Sequence, residues 1–354
     1  MHKRGVWAAA LLLLAVFVSA QKIVVSFPAY NIVLKEAFPN ADVILLTKGV
    51  SDPHEYQLTP QDLQMLKALT ERDVIVSSMH APFELKIAEM VKSGEIKAKF
   101  IDLTKIQWYL TWDGELVKLA EHDHDAHNHD HGGVNMHDHG VFPPNVFALV
   151  DEVSKATGLE PDQNFIQKLK QLNATYADKF SGKAIAITPT AQYILYWLGF
   201  RDVAVFIKEP GVPPSPADLQ KALQYAKEGA PALAVVVRGE ALKIVENFRA
   251  KMNELGAQPK IIIADFSKDY LSALENVTKQ IAAATAAKPT ETAQQTTAQA
   301  QQPSTATSTQ QSQPATQAPN TSGGLGSAVW AALVVVVAIA AAAVAIALRR
   351  KPKR

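Results

Sequence analysis

The 354-residue chain contains no cysteine. That absence excludes disulfides, thiolate metal sites and a lipid-bearing cysteine behind a leader. Charge of one sign is missing too: 35 Lys and Arg stand against 34 Asp and Glu, a formal net charge of +1. No basic stripe marks a nucleic-acid surface, so nucleic acid is not an expected partner. Residues 285–324 lack any aromatic or branched aliphatic side chain and are mainly Thr, Gln, Ala, Ser and Pro. Such a stretch buries too little apolar surface to offset chain entropy and reads as a disordered stalk. Asn320-Thr321-Ser322 within it is a glycosylation sequon, a weak signal.

The two ends carry what the stalk lacks. His2, Lys3 and Arg4 precede an apolar run over 6–18 and the small pair Ser19 and Ala20. This is the layout of a signal peptide over 1–20, with Gln21 as the first mature residue. An uncleaved anchor is the alternative, but the run is short for a span. Residues 325–348 read as a transmembrane helix, in which 328–348 is polar only at the indole of Trp330. At 1.5 Å per residue that run is about 30 Å long, the thickness of a bilayer's hydrocarbon core. The tail 349–354, RRKPKR, is cytoplasmic by the positive-inside rule. The expected location is therefore the cell surface, extracytoplasmic, with a C-terminal anchor.

Between the ends, short β-branched runs alternate with helical patterns. KIVVSF, DVILLT, DVIVSS and AKFIDL read as strands in the first half, and AIAITP, DVAVFI, LAVVVR and KIIIAD in the second. Continuous apolar runs suit parallel strands buried on both faces. Residues 60–71, 81–94, 215–229 and 241–256 have helical spacing. The class is α/β: two Rossmann-like lobes, over 21–160 and 183–284, each a parallel sheet flanked by helices. Residues 161–182 carry Phe165, Leu169, Leu172, Tyr176 and Phe180 at helical spacing, with Pro161 at one end and Gly182 at the other. They predict one rigid linking helix of about five turns.

Loops at the carboxyl ends of such strands form the binding crevice. That rule selects His54, His80, Glu84, Glu209 and Asp265. Two imidazoles and carboxylates are ligands for a first-row divalent cation, and no catalytic constellation stands out. Seven of the ten histidines fall elsewhere, in the run 121–140: His122, His124, His127, His129, His131, His137 and His139. Their spacing holds neither helix nor strand period and Gly132-Gly133 interrupts it, so a mobile metal-collecting loop is expected. Low-complexity drift and a pH-responsive charge switch are the plainer readings. A hydrolase HxHxDH motif is excluded, because Ala126 stands where its Asp is required and the preceding ELVKLAE reads as helical.

These residues carry a resemblance. DPHEYQLTP is similar to the Asp-Pro-His-x-Tyr-x-x-Thr-Pro signature of the zinc- and manganese-specific solute-binding proteins of ABC importers. ERDVIVSS with Glu84, the His-rich loop, KEPGVPPSPADLQKAL and IIIADF resemble further segments of that family. The resemblance spans nearly all of 21–284. It implies two lobes, a metal cleft between them, zinc as ligand with manganese or another transition metal as alternatives, and an ABC permease as partner. His54 and Asp265 match the family's ligands. Its second ligand, a His after the loop, falls on Asn145 in PPNVF, and its third on Thr188 when TPTAQYILYWLGF is aligned on Gly199.

The expected cleft site is accordingly His54, His80 and Asp265, completed by Glu209, Asn145, Thr188, water or a loop imidazole. The expected function is a membrane-tethered receptor that hands a divalent metal to an ABC permease. The alternative is a surface adhesin-like protein with a degenerate cleft and a metal-sequestering loop; a cleft for a metal chelate is a third reading. Ending the chain at Ser322 should release soluble protein that begins at Gln21, as read by amino-terminal sequencing. Truncated protein retained in the membrane would show that the amino-terminal segment stays uncleaved.

Overall fold

The computed structural model describes residues 20–50, 55–119, 133–237 and 239–286. Four parallel strands, β1 (Lys22–Val25), β2 (Asp42–Leu45), β3 (Val74–Ser77) and β4 (Lys99–Asp102), form a sheet in the order β2-β1-β3-β4. The second lobe repeats the plan with β8 (Lys183–Ala186), β9 (Asp202–Val205), β10 (Ala232–Val236) and β11 (Ile261–Asp265), in the order β9-β8-β10-β11. In each lobe the first strand in sequence has its successor on one side and the third strand on the other. The order thus reverses between β1 and β3, and again between β8 and β10. Those two places are the crevices such sheets offer to ligands. All eight strands read from the sequence are present.

The connecting helices follow from the same chemistry. α1 (Pro28–Ala37), α2 (Pro60–Lys67) and α3 (Pro82–Lys92) each begin on a proline, whose missing N–H costs nothing at a helix start. Thr59 caps α2 and Asp62 answers it, a complete capping box. α4 (Pro143–Thr157) ends at Gly158, which has φ of 75°. The second lobe adds α6 (Pro189–Leu198), α7 (Pro216–Lys227) and α8 (Glu240–Glu254).

The linking helix is shorter than the apolar spacing predicts. α5 runs only over Gln163–Tyr176. Asp162, not Pro161, is its cap, and its side chain accepts the Phe165 N–H at 2.9 Å. Asp178 then takes the left-handed conformation at φ of 55°, and the backbone N–H groups of Asp178 and Phe180 pair with Trp197 and Leu198 instead of continuing the helix. The last helix, α9 (Tyr270–Ala286), packs on β11 of the second sheet and also on the linking helix α5 and on α1 of the first lobe. Lys168 of α5 pairs with Glu275 of α9 at 2.8 Å, and the hydroxyl of Tyr270 donates to the Val141 carbonyl at 3.0 Å.

One apolar core therefore runs from the first sheet through α1, α4, α5, α6 and α9 to one face of the second sheet. Ala184, Ala186, Leu233 and Val235 point into it, while Ile185, Ile187, Ala232 and Ala234 face a separate smaller core under α7 and α8.

A third sheet has no counterpart in the sequence reading. β5 (Tyr109–Thr111) pairs antiparallel with β6 (Leu116–Val117) and β7 (Val134–Asn135). Leu116 and Val117, read as helical, are thus strand. This sheet belongs to the first half of the chain yet is bonded to α6 of the second lobe. Asn135 Nδ2 donates to the Pro189 carbonyl and to Gln192 Oε1, both at 2.9 Å. Gln192 Nε2 donates to the Thr111 carbonyl at 2.9 Å, and Tyr193 Oη donates to the Asn135 carbonyl. Asn135→Ala should leave the Pro189 carbonyl and Gln192 without that donor in a buried place, at about 1–3 kcal/mol per unsatisfied group. Urea unfolding should show a loss in that range, and a loss below about 0.5 kcal/mol, the scale of surface substitutions, would show that the interlobe bonds carry no stability.

Candidate metal centre

Two pockets sit at the two crevices. Phe27, which follows β1, and Ser78 and His80, which follow β3, line the first. Thr188 and Pro189, which follow β8, line the second with Val235 and Val237 of the β10 end. His137 and Asp138 line both, so the segment after β7 stands between the lobes.

His80 is presented by a tight turn. Met79 has φ of 57°, a conformation that side chains other than glycine avoid. Below the turn lies Glu84, the third residue of α3 and fully buried. Its Oε1 accepts from Ser77 Oγ at 2.9 Å and the Ser78 N–H at 2.7 Å, and its Oε2 from the N–H groups of His80 at 2.8 Å and Ala81 at 2.9 Å. The helix cap is Ala81, with the Glu84 carboxylate beneath it, so the His80 side chain is not used as a cap.

His137 is held by β7, because its N–H donates to Asn135 Oδ1 at 3.1 Å. Its ring lies edge-on to that of His80, centroids 6.2 Å apart at 85°. Its Nε2 is 3.1 Å from Glu209 Oε2. A carboxylate only accepts, so this Nε2 carries a proton that it donates across the lobe boundary. The separation matters chemically. Two ligands bound to a tetrahedral zinc at about 2.0–2.1 Å stand about 3.3 Å from one another. A cation that displaced this proton would find the imidazole and the carboxylate nearly in place. Beside them, Thr190 Oγ1 donates to Asp138 Oδ2 at 3.4 Å, a further polar link between the halves.

The other expected site residues fall differently. His54, His122, His124, His127, His129 and His131 lie outside the described residues. His137 and His139 were expected in the mobile loop, and instead both are buried in ordered backbone. His139 is a core residue: Tyr30 Oη pairs with its Nε2 at 2.9 Å and the Met136 carbonyl with its Nδ1 at 3.1 Å. Both ring nitrogens are used, which removes it as a loop ligand. Asn145 is fully buried, accepts the Trp108 N–H at 2.7 Å and donates to the carbonyls of Trp108 at 2.8 Å and His139 at 3.1 Å. It pins backbone and has no free face for a metal. Thr188 exchanges hydrogen bonds with Val235, accepting at 3.0 Å and donating at 3.3 Å, and so stitches β8 to β10. Asp265 ends the edge strand β11, one strand beyond the crevice, and is exposed. It caps its own turn on the Ser267 N–H at 2.9 Å, and those bonds with Ser267 hold its carboxyl below the ordinary value. It lines neither pocket.

Among the described residues no three His, Asp or Glu side chains already stand around one metal position. What the fold assembles is the pair His137 and Glu209, with His80 next to it. Sequence reasoning selected His80 and Glu209 and left room for a loop imidazole, but did not single out His137 among the loop histidines. The signal was available: His137 is eight positions before Asn145, at the end of the loop and ahead of the Pro143-Pro144 helix start, where a histidine following the loop belongs.

A family model described as zinc-uptake complex component A, periplasmic, matches residues 23–284. Among solved structures, a zinc-bound deletion mutant of ZnuA is 21% identical, with a TM-score of 0.52 over 77% of this chain and 100% of its own. A further ZnuA structure is 20% identical, with a TM-score of 0.51 over 75% and 99%. FpvC from Pseudomonas aeruginosa, in complex with Mn2+, is 16% identical, with a TM-score of 0.51 over 75% and 98%. These likenesses establish the fold. A comparison with curated proteins found no match.

Burial pushes the His139 imidazole down from 6.5 to about 4. The folded protein therefore refuses a proton that the unfolded chain accepts. The stability this contributes is complete above pH 6.5 and is lost as pH falls toward 4, by about 2 kcal/mol at pH 5. In metal-free protein, the fall in unfolding free energy between pH 6.5 and 5 should flatten in His139→Gln, whatever that variant's absolute stability. An unchanged slope would place the acid sensitivity elsewhere.

Proposed function

The chain belongs to the family of zinc-uptake complex component A, and on that premise we propose that it is a metal-capturing receptor whose cleft site is built on His137 and Glu209. The family is extracytoplasmic and works with ABC permeases. The cargo is a divalent cation, zinc in the first place, handed on to such a permease. The observation that carries this reading is the 3.1 Å contact between His137 Nε2 and Glu209 Oε2 across the lobes. A metal bridging them is coordinated from both halves of the protein at once.

His80 is the next ligand inward, and His54 is the expected fourth, one lobe contributing imidazoles and the other a carboxylate. Zinc and other late first-row ions favour nitrogen donors, whereas manganese favours oxygen, so a histidine-rich set points to zinc. The zinc bound to the ZnuA deletion mutant and the Mn2+ bound to FpvC support the class of cargo. Thr188, where the resemblance expects a His or a Glu, is used for sheet stitching, and Glu209 takes over as the second lobe's ligand.

The anchoring reading completes the proposal: a leader over 1–20, a stalk over 285–324 and a membrane helix over 325–348 keep the receptor beside its permease. No helix among the described residues is long and apolar enough to cross a membrane, and 325–348 lies outside them. The loop histidines before Gly133 serve as a weaker collecting site.

Removing one ligand of a zinc site costs several kcal/mol out of about 10–16, so His137→Ala should weaken the tightest zinc equivalent by about 100-fold or more. Asp265→Ala should change it less than about threefold, since its carboxylate is committed to Ser267 and lines neither pocket. Competition against a chelator of known zinc affinity reads both. Wild-type affinity in His137→Ala would remove the proposed site.

A further inference from the structure

We infer that Glu84 is a positioning residue of the metal site: its buried carboxylate holds the turn that presents His80, and so sets how tightly zinc is held. The inference rests on the cleft reading above, in which His80 is a ligand.

A glutamate at the third position of a helix ordinarily closes a capping box with a Ser or Thr cap. Here the cap is Ala81, which has no hydroxyl to offer. The carboxylate reaches further back instead. Besides the N–H groups of Ala81, His80 and Ser78, it takes the hydroxyls of Ser77 and Ser78, the latter within 3.1 Å of Oε1 and 2.9 Å of Oε2. Met79 is the one residue of the turn that it skips, and Ser77 Oγ accepts that N–H at 3.1 Å. Every backbone N–H from Ser78 to Ala81 is thereby engaged on Glu84 or on a serine bonded to it.

This exceeds what a helix start requires. The donors upstream of the cap are the ones that shape the pocket wall, since Ser78 and His80 both line it. The turn also contains the left-handed Met79, a conformation that persists only where its surroundings impose it. A fully buried carboxylate is stable only when donors surround it, and the turn supplies them. Carboxylate and turn hold one another in place, and His80 is the one metal-binding side chain on that turn. Partners behind a metal ligand commonly change affinity about 10- to 100-fold.

The test is a double-mutant cycle in the full chain, read as zinc affinity by chelator competition. Glu84→Gln puts an amide NH2 among N–H donors and should weaken the first zinc equivalent about tenfold. In a His80→Ala background the same change should cost less than about twofold, because the residue it positions is gone. The visible absorption bands of the cobalt(II)-loaded protein should change shape in Glu84→Gln, as expected of an altered ligand field. If Glu84→Gln does not fold, Ser78→Ala takes its place in the cycle, with a smaller loss of about threefold that again vanishes without His80. An equal loss in both backgrounds, or no loss at all, overturns the inference and leaves the cleft reading standing. If His80→Ala alone leaves zinc affinity unchanged, His80 is not a ligand, and both the cleft set and this inference fall.

Discussion

The buried amide of Asn135 holds the two halves of this protein in one orientation. It sits in a two-residue strand, donates to the backbone and side chain of α6, and accepts the N–H of His137. One side chain thus bonds both across the lobe boundary and to the backbone from which the central imidazole projects. The continuous core through α5, α6 and α9 adds apolar adhesion to the same boundary. A cleft built this way has little freedom to hinge widely. Its response to cargo is expected at the scale of side chains and of the loop that carries Glu209.

The repeated strand order explains why the site lies where it does. Each sheet opens at its own order reversal, and the two openings meet at His137 and Asp138. A ligand must come from a strand next to a reversal or from a loop long enough to reach it. His80 satisfies the first condition and Glu209 the second. Asp265 satisfies neither, because β11 is an edge strand and its carboxylate is committed to Ser267. Geometry, not residue type, separates the carboxylate that faces the cleft from the one that does not.

The parallel sheets were legible because buried parallel strands are continuous apolar runs, and KIVV, VIVS and ALAVV can hardly be anything else. The small sheet was not, because Leu116–Val117 and Val134–Asn135 are too short to show a period. The destination of α9 was hidden for a related reason: an apolar stripe says that a helix packs, not on what. Among the site residues, His137 and His139 were misjudged by composition. A run of His, Asp and Gly looks solvated, yet Tyr30 and the Met136 carbonyl satisfy both nitrogens of His139, and that makes burial affordable. Asn145 and Thr188 were candidates by alignment alone, and their hydrogen bonds to backbone show them to be structural.

The central claim is that one cation is held between the lobes by His137 and Glu209 with His80 beside them. Anomalous diffraction at the zinc edge, from crystals of protein loaded with one equivalent of zinc, tests it most directly. The account predicts a single strong peak about 2.0–2.1 Å from His137 Nε2 and from a Glu209 oxygen. A peak at Asp265, or density found only along the histidine run ahead of Gly133, would contradict it.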